Sequence, residues 1–174
     1  MGRNKAWLEC DGQPLIHRQI ALAREVGAAK VFISGRADGE YGALQCPVLV
    51  DEFPEAGPLA GIERALATTD APLLLVLAVD LASMNAALLR RLLVHCARGR
   101  GAIPRVQGNI EPLAAFYPAS AHAFAVLLLR EGRNAVQGFA HECVAARQAV
   151  FFDLEPGAAA AFANWNSPAD AGLE

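Results

Sequence analysis

Apolar positions along the chain switch between two spacings, and the switching predicts most of its elements. Residues 14–26 place Leu15, Ile16, Ile20, Leu22, Ala23 and Val26 at helical intervals, with Pro14 suited to the first turn and Gly27 to the stop. Residues 30–34 are short, apolar and rich in β-branched side chains, so they read as a buried strand, and residues 47–50 as a second. Residues 58–68 predict a helix. The unbroken apolar run over residues 72–79 predicts a strand covered on both faces, as in parallel sheets flanked by helices. A helix over 85–98 follows, then strands over 101–105 and 113–117 with a hairpin turn at Gln107-Gly108-Asn109. A helix over 119–130, a strand over 149–153 and a short helix from Ser167 complete the pattern. This β-α-β order predicts one domain over residues 1–174, a three-layer α/β fold with a mostly parallel central sheet.

Composition narrows the function. Apolar residues make up 54% of the chain and charged ones 19%, which supplies a core and argues against disorder. The net charge of -3, with no basic run beyond two residues, excludes the strong positive field of nonspecific nucleic-acid binding. Apolar runs stay far below the ~18 residues of a membrane helix, and the first residues lack a signal peptide's apolar segment. A cytoplasmic protein is therefore expected. Cys10, Cys46, Cys96 and Cys143 show no paired spacing, and His17, His95, His122 and His141 no metal-ligand spacing. Both sets read as structural or surface residues. No nucleophile elbow, Walker loop or zinc-protease motif is found.

Ligands of open α/β sheets bind beyond the carboxyl ends of the parallel strands. The residues expected there are Ser34, Asp51 and Asp80. A carboxylate ending an apolar strand is costly to desolvate unless its charge is offset. For Asp80 two readings stand level: a Mg²⁺ ligand, or a helix cap or partner of an arginine. Gly57-Pro58-Leu59-Ala60-Gly61 opens a helix whose first N–H groups can meet an anion, although an ordinary helix start explains it too. Ser167, Pro168 and Asp170 form a helix cap, which leaves Asn164 and Asn166 unexplained.

Six segments then fall into one ordered pattern: Met1-Gly2-Arg3-Asn4-Lys5, Asp11-Gly12-Gln13-Pro14-Leu15, Gly57-Pro58-Leu59-Ala60-Gly61-Ile62, Val79-Asp80-Leu81, Glu111-Pro112-Leu113 with the run to Tyr117, and Asn164-Trp165-Asn166-Ser167-Pro168. Together they resemble the molybdenum cofactor guanylyltransferase (MobA) family. The resemblance implies a Rossmann-like nucleotidyltransferase that takes GTP and molybdopterin, releases pyrophosphate and uses Mg²⁺. It implies that Gly2 and Lys5 lie at the triphosphate, and that Ser34 stands where the family often has an asparagine near the nucleotide. Asp51, Gly57, Pro58 and Leu59 would belong to the guanosine site, Asp80 would be the metal ligand, and Asn164 and Asn166 would face molybdopterin. Transient contacts with other cofactor-biosynthesis proteins and a monomer or weak oligomer are expected.

Three departures stand out. The family's L-A-G-G-x-S-x-R stretch would precede Met1, Asn4 replaces a common Asp, and Asp80-Leu81-Ala82 replaces Asp-Met-Pro or Asp-Leu-Pro. The first predicts that the domain is truncated at its N-terminus, lacking a central strand and a phosphate-cradling glycine loop. The chemistry needs no general base, because a phosphate monoester is ionised near neutral pH, with a second pKa of about 6. Arg133 reads first as a solvated surface arginine and second as an additional anion contact. Two other readings are a transferase using CTP or a sugar phosphate, and a flavodoxin-like regulatory domain phosphorylated on Asp51.

Overall fold

The computed structural model describes residues 5–35 and 39–165. Gly2, Asn166 and the cap formed by Ser167, Pro168 and Asp170 lie outside the described residues. Lys5–Trp7 makes a turn of 3-10 helix. β1 (Glu9–Cys10) and β2 (Gln13–Pro14) then pair antiparallel. Asp11 and Gly12 between them sit at φ 52° and 74°, the left-handed pair that an Asp-Gly hairpin turn requires. α1 (Leu15–Glu25) follows, burying Leu15, Ile16, Gln19 and Ile20. β3 (Ile33–Ser34) pairs parallel with β4 (Val48–Leu49), Ile33 opposite Val48.

α2 (Pro58–Thr68), β5 (Leu73–Leu77), α3 (Ala86–Val94), β6 (Gly101–Val106), β7 (Asn109–Ile110), β8 (Ala114–Pro118), α4 (His122–Arg130), α5 (Val136–Ala145) and β9 (Ala149–Leu154) complete the main elements. The larger sheet runs β5-β8-β6-β7, with β9 also on β6. β8 is antiparallel to β5 and β6, while β9 is parallel to β6, so β5, β6 and β9 share one direction.

Side chains alternate across β8 as a pleated strand demands. Ala115 and Tyr117 pack with Leu59, Ile62 and Leu66 of α2, Leu128 of α4 and Phe139 of α5. Ala114 and Phe116 pack on the other side, with Leu88, Leu89 and Leu92 of α3. Helix, sheet and helix thus form the three layers that the pattern predicts.

Several bounds differ from expectation for physical reasons. The helix expected over 85–98 ends at Val94, because Ala97 and Arg100 bridge across Gly99 at φ 73° and turn the chain into β6. The strand expected over 30–34 contracts to Ile33–Ser34, the two residues that meet a partner. β5 is half-buried along its length rather than fully covered, since β8 pairs one edge and no described strand pairs the other. α5 was not expected. Its buried Val136, Phe139, Ala140 and Cys143 hold helical spacing, but Gly138 and two valines weaken its helix propensity. Among the described residues no helix is long and apolar enough to cross a membrane.

Tyr117 ties this core to the site end of the sheet, as its buried hydroxyl donates to the Pro112 carbonyl at 3.0 Å. Tyr117→Phe keeps the ring against Phe139 but strands that acceptor. Urea unfolding should show a loss of about 1–2 kcal/mol.

Candidate active site

Lys5, Ser34 and Asp80 each follow or precede a residue of one apolar cluster. Ala6 and Ile33 are buried in it with Ile16, Ile20, Tyr41 and Leu44, and Val79 packs against it. Hydrophobic packing among the neighbours therefore sets Lys5, Ser34 and Asp80 around one cluster and brings the ammonium and the carboxylate together. Lys5 Nζ lies 3.6 Å from Asp80 Oδ2, with the side chains 47% and 20% exposed respectively. An ion pair this open to water contributes about 0–1 kcal/mol, so it adds little to the fold.

The turn carrying Asp80 is held at successive carbonyls. Trp165 N–H donates to Asp80 O at 2.9 Å. Gln19 Nε2 donates to Leu81 O at 2.8 Å, and the Arg18 guanidinium to Ala82 O at 3.4 Å. Ala82, standing where the resemblance has proline, is buried with Leu8, Cys10 and Leu15. Hydrogen bonds and packing fix this turn without the ring of a proline. The Trp165 bond also brings exposed Asn164 beside Asp80, a proximity that sequence spacing could not reveal.

Ser34, Asp51 and the start of α2 form the second group. Gly57, the N-cap, sits at φ 70° and ψ -159°, a region open essentially to glycine. Pro58 occupies the first turn, and no side chain caps the helix. Gly57 and Pro58 are exposed, whereas Leu59 is fully buried in the core and anchors the segment from beneath instead of lining the rim. Gly61, the last residue of the Gly57-to-Gly61 segment quoted from the sequence, is the contact point. A Cβ there would lie 2.1 Å from Ser34 Oγ and 3.6 Å from Asp51 Oδ1. Asp51 Oδ1 is buried with no hydrogen-bond partner among the described residues. Burial, and secondarily the charge of Glu63, hold the Asp51 carboxyl above the usual range.

Other polar residues resolve differently. His122 Nε2 lies 2.7 Å from Oε1 of buried Glu63, a bridge between α2 and α4, in keeping with a structural histidine. Arg133 is tied to Glu131 and Glu142 at 3.2 and 3.1 Å, which leaves it a poor anion ligand. Glu111, quoted in the sequence pattern without a role, is half-buried in the turn before β8, and burial pushes its carboxyl up. The four cysteines are unpaired. No group of three or more His, Cys, Asp or Glu able to hold a metal exists among the described residues.

Comparison with known proteins gives the family and the fold. Residues 1–146 match the model of the MobA-like NTP transferase domain. The probable molybdenum cofactor guanylyltransferase of Opitutus terrae is 39% identical over 173 residues, covering 98% of this chain and 86% of that protein. Two solved structures share the fold. Molybdopterin-guanine dinucleotide biosynthesis protein A of Archaeoglobus fulgidus has a TM-score of 0.72 at 19% identity, over 98% of this chain and 88% of that one. The 2-C-methyl-D-erythritol 4-phosphate cytidylyltransferase of Thermus thermophilus has a TM-score of 0.74 at 20% identity, over 97% and 91%.

Two substitutions probe the site. Gly61→Ala should lower the melting temperature despite the ~1 kcal/mol that alanine normally gains in a helix, and adding Ser34→Gly should restore it. For Asp51, the raised carboxyl means that the folded chain binds the proton more tightly than the unfolded one. That contribution to stability is present at acid pH and is lost as pH rises through the folded-state value. Asp51→Asn should therefore melt above the parent at neutral pH, with the gap closing on acidification.

Proposed function

The chain belongs to the family of MobA-like NTP transferase domains, and from that membership we propose that it transfers GMP from GTP to the terminal phosphate of molybdopterin, releasing pyrophosphate. The observation that carries the proposal is the convergence of Lys5, Ser34 and Asp80 around one apolar cluster at the end of β5.

In this reading the acceptor phosphate attacks the α-phosphorus of GTP, the bond to the β-phosphate oxygen breaks, and pyrophosphate leaves. The acceptor is already ionised, so the obstacle is the meeting of two polyanions, and catalysis lies mainly in charge neutralisation and in-line placement. Lys5 faces the charge of the departing pyrophosphate, with Gly2 beside the nucleotide. Ser34, Asp51, Gly57 and Pro58 hold guanosine, with buried Leu59 anchoring that segment beneath them, while Asn164 and Asn166 orient molybdopterin. One rim carboxylate, with no larger ligand cluster among the described residues, suits Mg²⁺ that completes its shell from phosphates and water rather than a dedicated cage. Asp80 would hold that ion, which when bound supplies Lewis-acid neutralisation of the phosphates.

The same proposal includes a further strand from upstream of residue 1, beside β5. The edge of β5 that no described strand pairs and the separate β3–β4 pair support it, and an in-frame stop codon directly upstream would contradict it. A cytoplasmic enzyme, monomeric or weakly associating, completes the reading. The likeness in fold to a cytidylyltransferase keeps CTP as the rival donor.

Asp80→Asn should cut transfer on the order of a hundredfold or more without altering the melt. Pyrophosphate release measured with GTP and molybdopterin checks this. Undiminished turnover in the variant would remove Asp80 from the reaction, and faster turnover with CTP would replace the donor.

A further inference from the structure

The ion pair at the rim joins two groups to which the proposed reaction gives different partners. Lys5 is assigned to phosphates and Asp80 to a divalent cation, yet Lys5 Nζ and Asp80 Oδ2 lie 3.6 Å apart. We propose that Lys5 is the resident counter-ion of Asp80, keeping the carboxylate closed to a divalent cation until a polyphosphate draws the lysine away. The inference rests on the reading of Asp80 as the holder of that cation.

The surroundings decide which partner can move. The backbone about Asp80 is fixed, since the carbonyls of Asp80, Leu81 and Ala82 accept hydrogen bonds from Trp165, Gln19 and Arg18. Lys5 is the more exposed of the two, on a single 3-10 turn whose next residue, Ala6, is only 5% exposed. Its flexible four-carbon stem can swing while its backbone stays anchored.

Electrostatics gives the direction. An ammonium 3.6 Å from Asp80 Oδ2 repels an incoming divalent ion and offsets the carboxylate's attraction for it. A triphosphate offers the ammonium several anionic oxygens in place of one carboxylate. Once the lysine transfers, Asp80 is left with a full charge beside a phosphate-bound cation. Metal and nucleotide therefore strengthen each other's binding, by equal factors in either order.

The test titrates the full chain with Mn²⁺ alone, without nucleotide, reading free ion by electron paramagnetic resonance. Lys5→Met should bind Mn²⁺ on the order of fivefold more tightly than the parent, and Lys5→Arg should match the parent. Asp80→Asn should lose the site, and Lys5→Met should give no gain when combined with it. Lys5→Gln provides the same loss of charge should the methionine variant fail to fold. If a folded, uncharged residue 5 binds Mn²⁺ no more tightly than the parent, while Asp80→Asn abolishes binding, the counter-ion role is overturned. If Asp80→Asn binds Mn²⁺ like the parent, the metal reading of Asp80 falls first.

Discussion

Val79 packs against two apolar groups at once, one holding Ala6, Ile16 and Ile33, the other Leu8, Leu15 and Ala82. This contact joins the N-terminal turn, α1 and the β3 end to the end of β5. The side chains used for chemistry are the immediate neighbours of the residues that make it. Their placement is thus set by packing rather than by attraction among themselves, which suits a site whose charges must change partners. The Lys5–Asp80 pair is too exposed to organise the rim. Its value lies in being easily exchanged.

The part of the rim proposed for the nucleotide follows a similar logic with backbone in place of side chains. Gly57 permits the sharp entry into α2, and Gly61 lets that helix approach Ser34 and Asp51 more closely than any larger residue would allow. The cost appears at Asp51, whose buried oxygen has no hydrogen-bond partner among the described residues and whose carboxyl is raised by burial and Glu63. A desolvated carboxyl with a raised pKa beside a helix start is a candidate for binding.

Much of this was legible in the sequence because it is local. Pro58 after Gly57 marks the start of α2, the apolar run before Asp80 marks β5, and Gln107-Gly108 marks the β6–β7 turn, with both residues at positive φ. What could not be read is what depends on distant partners. The half-burial of β5 reflects an edge that no described strand pairs, and the shortness of β3 reflects a single two-residue neighbour; the reversed direction of β8, by contrast, follows from the hairpin turn before it. In the site, Asp80, Ser34 and Asp51 could be named from strand ends. The bond from Trp165 to Asp80, the closeness of Gly61 and the engagement of Arg133 by two glutamates are long-range or side-chain facts with no sequence period.

The central claim is that this rim grips the triphosphate of a guanine nucleotide between residue 5 and residue 80. A crystal structure with GTP and magnesium tests it most directly. The account predicts phosphate oxygens in contact with Lys5 Nζ, the ion bridging those oxygens to Asp80, and the direct lysine–aspartate contact broken. Density for the nucleotide elsewhere, with the 3.6 Å ion pair intact, would contradict it.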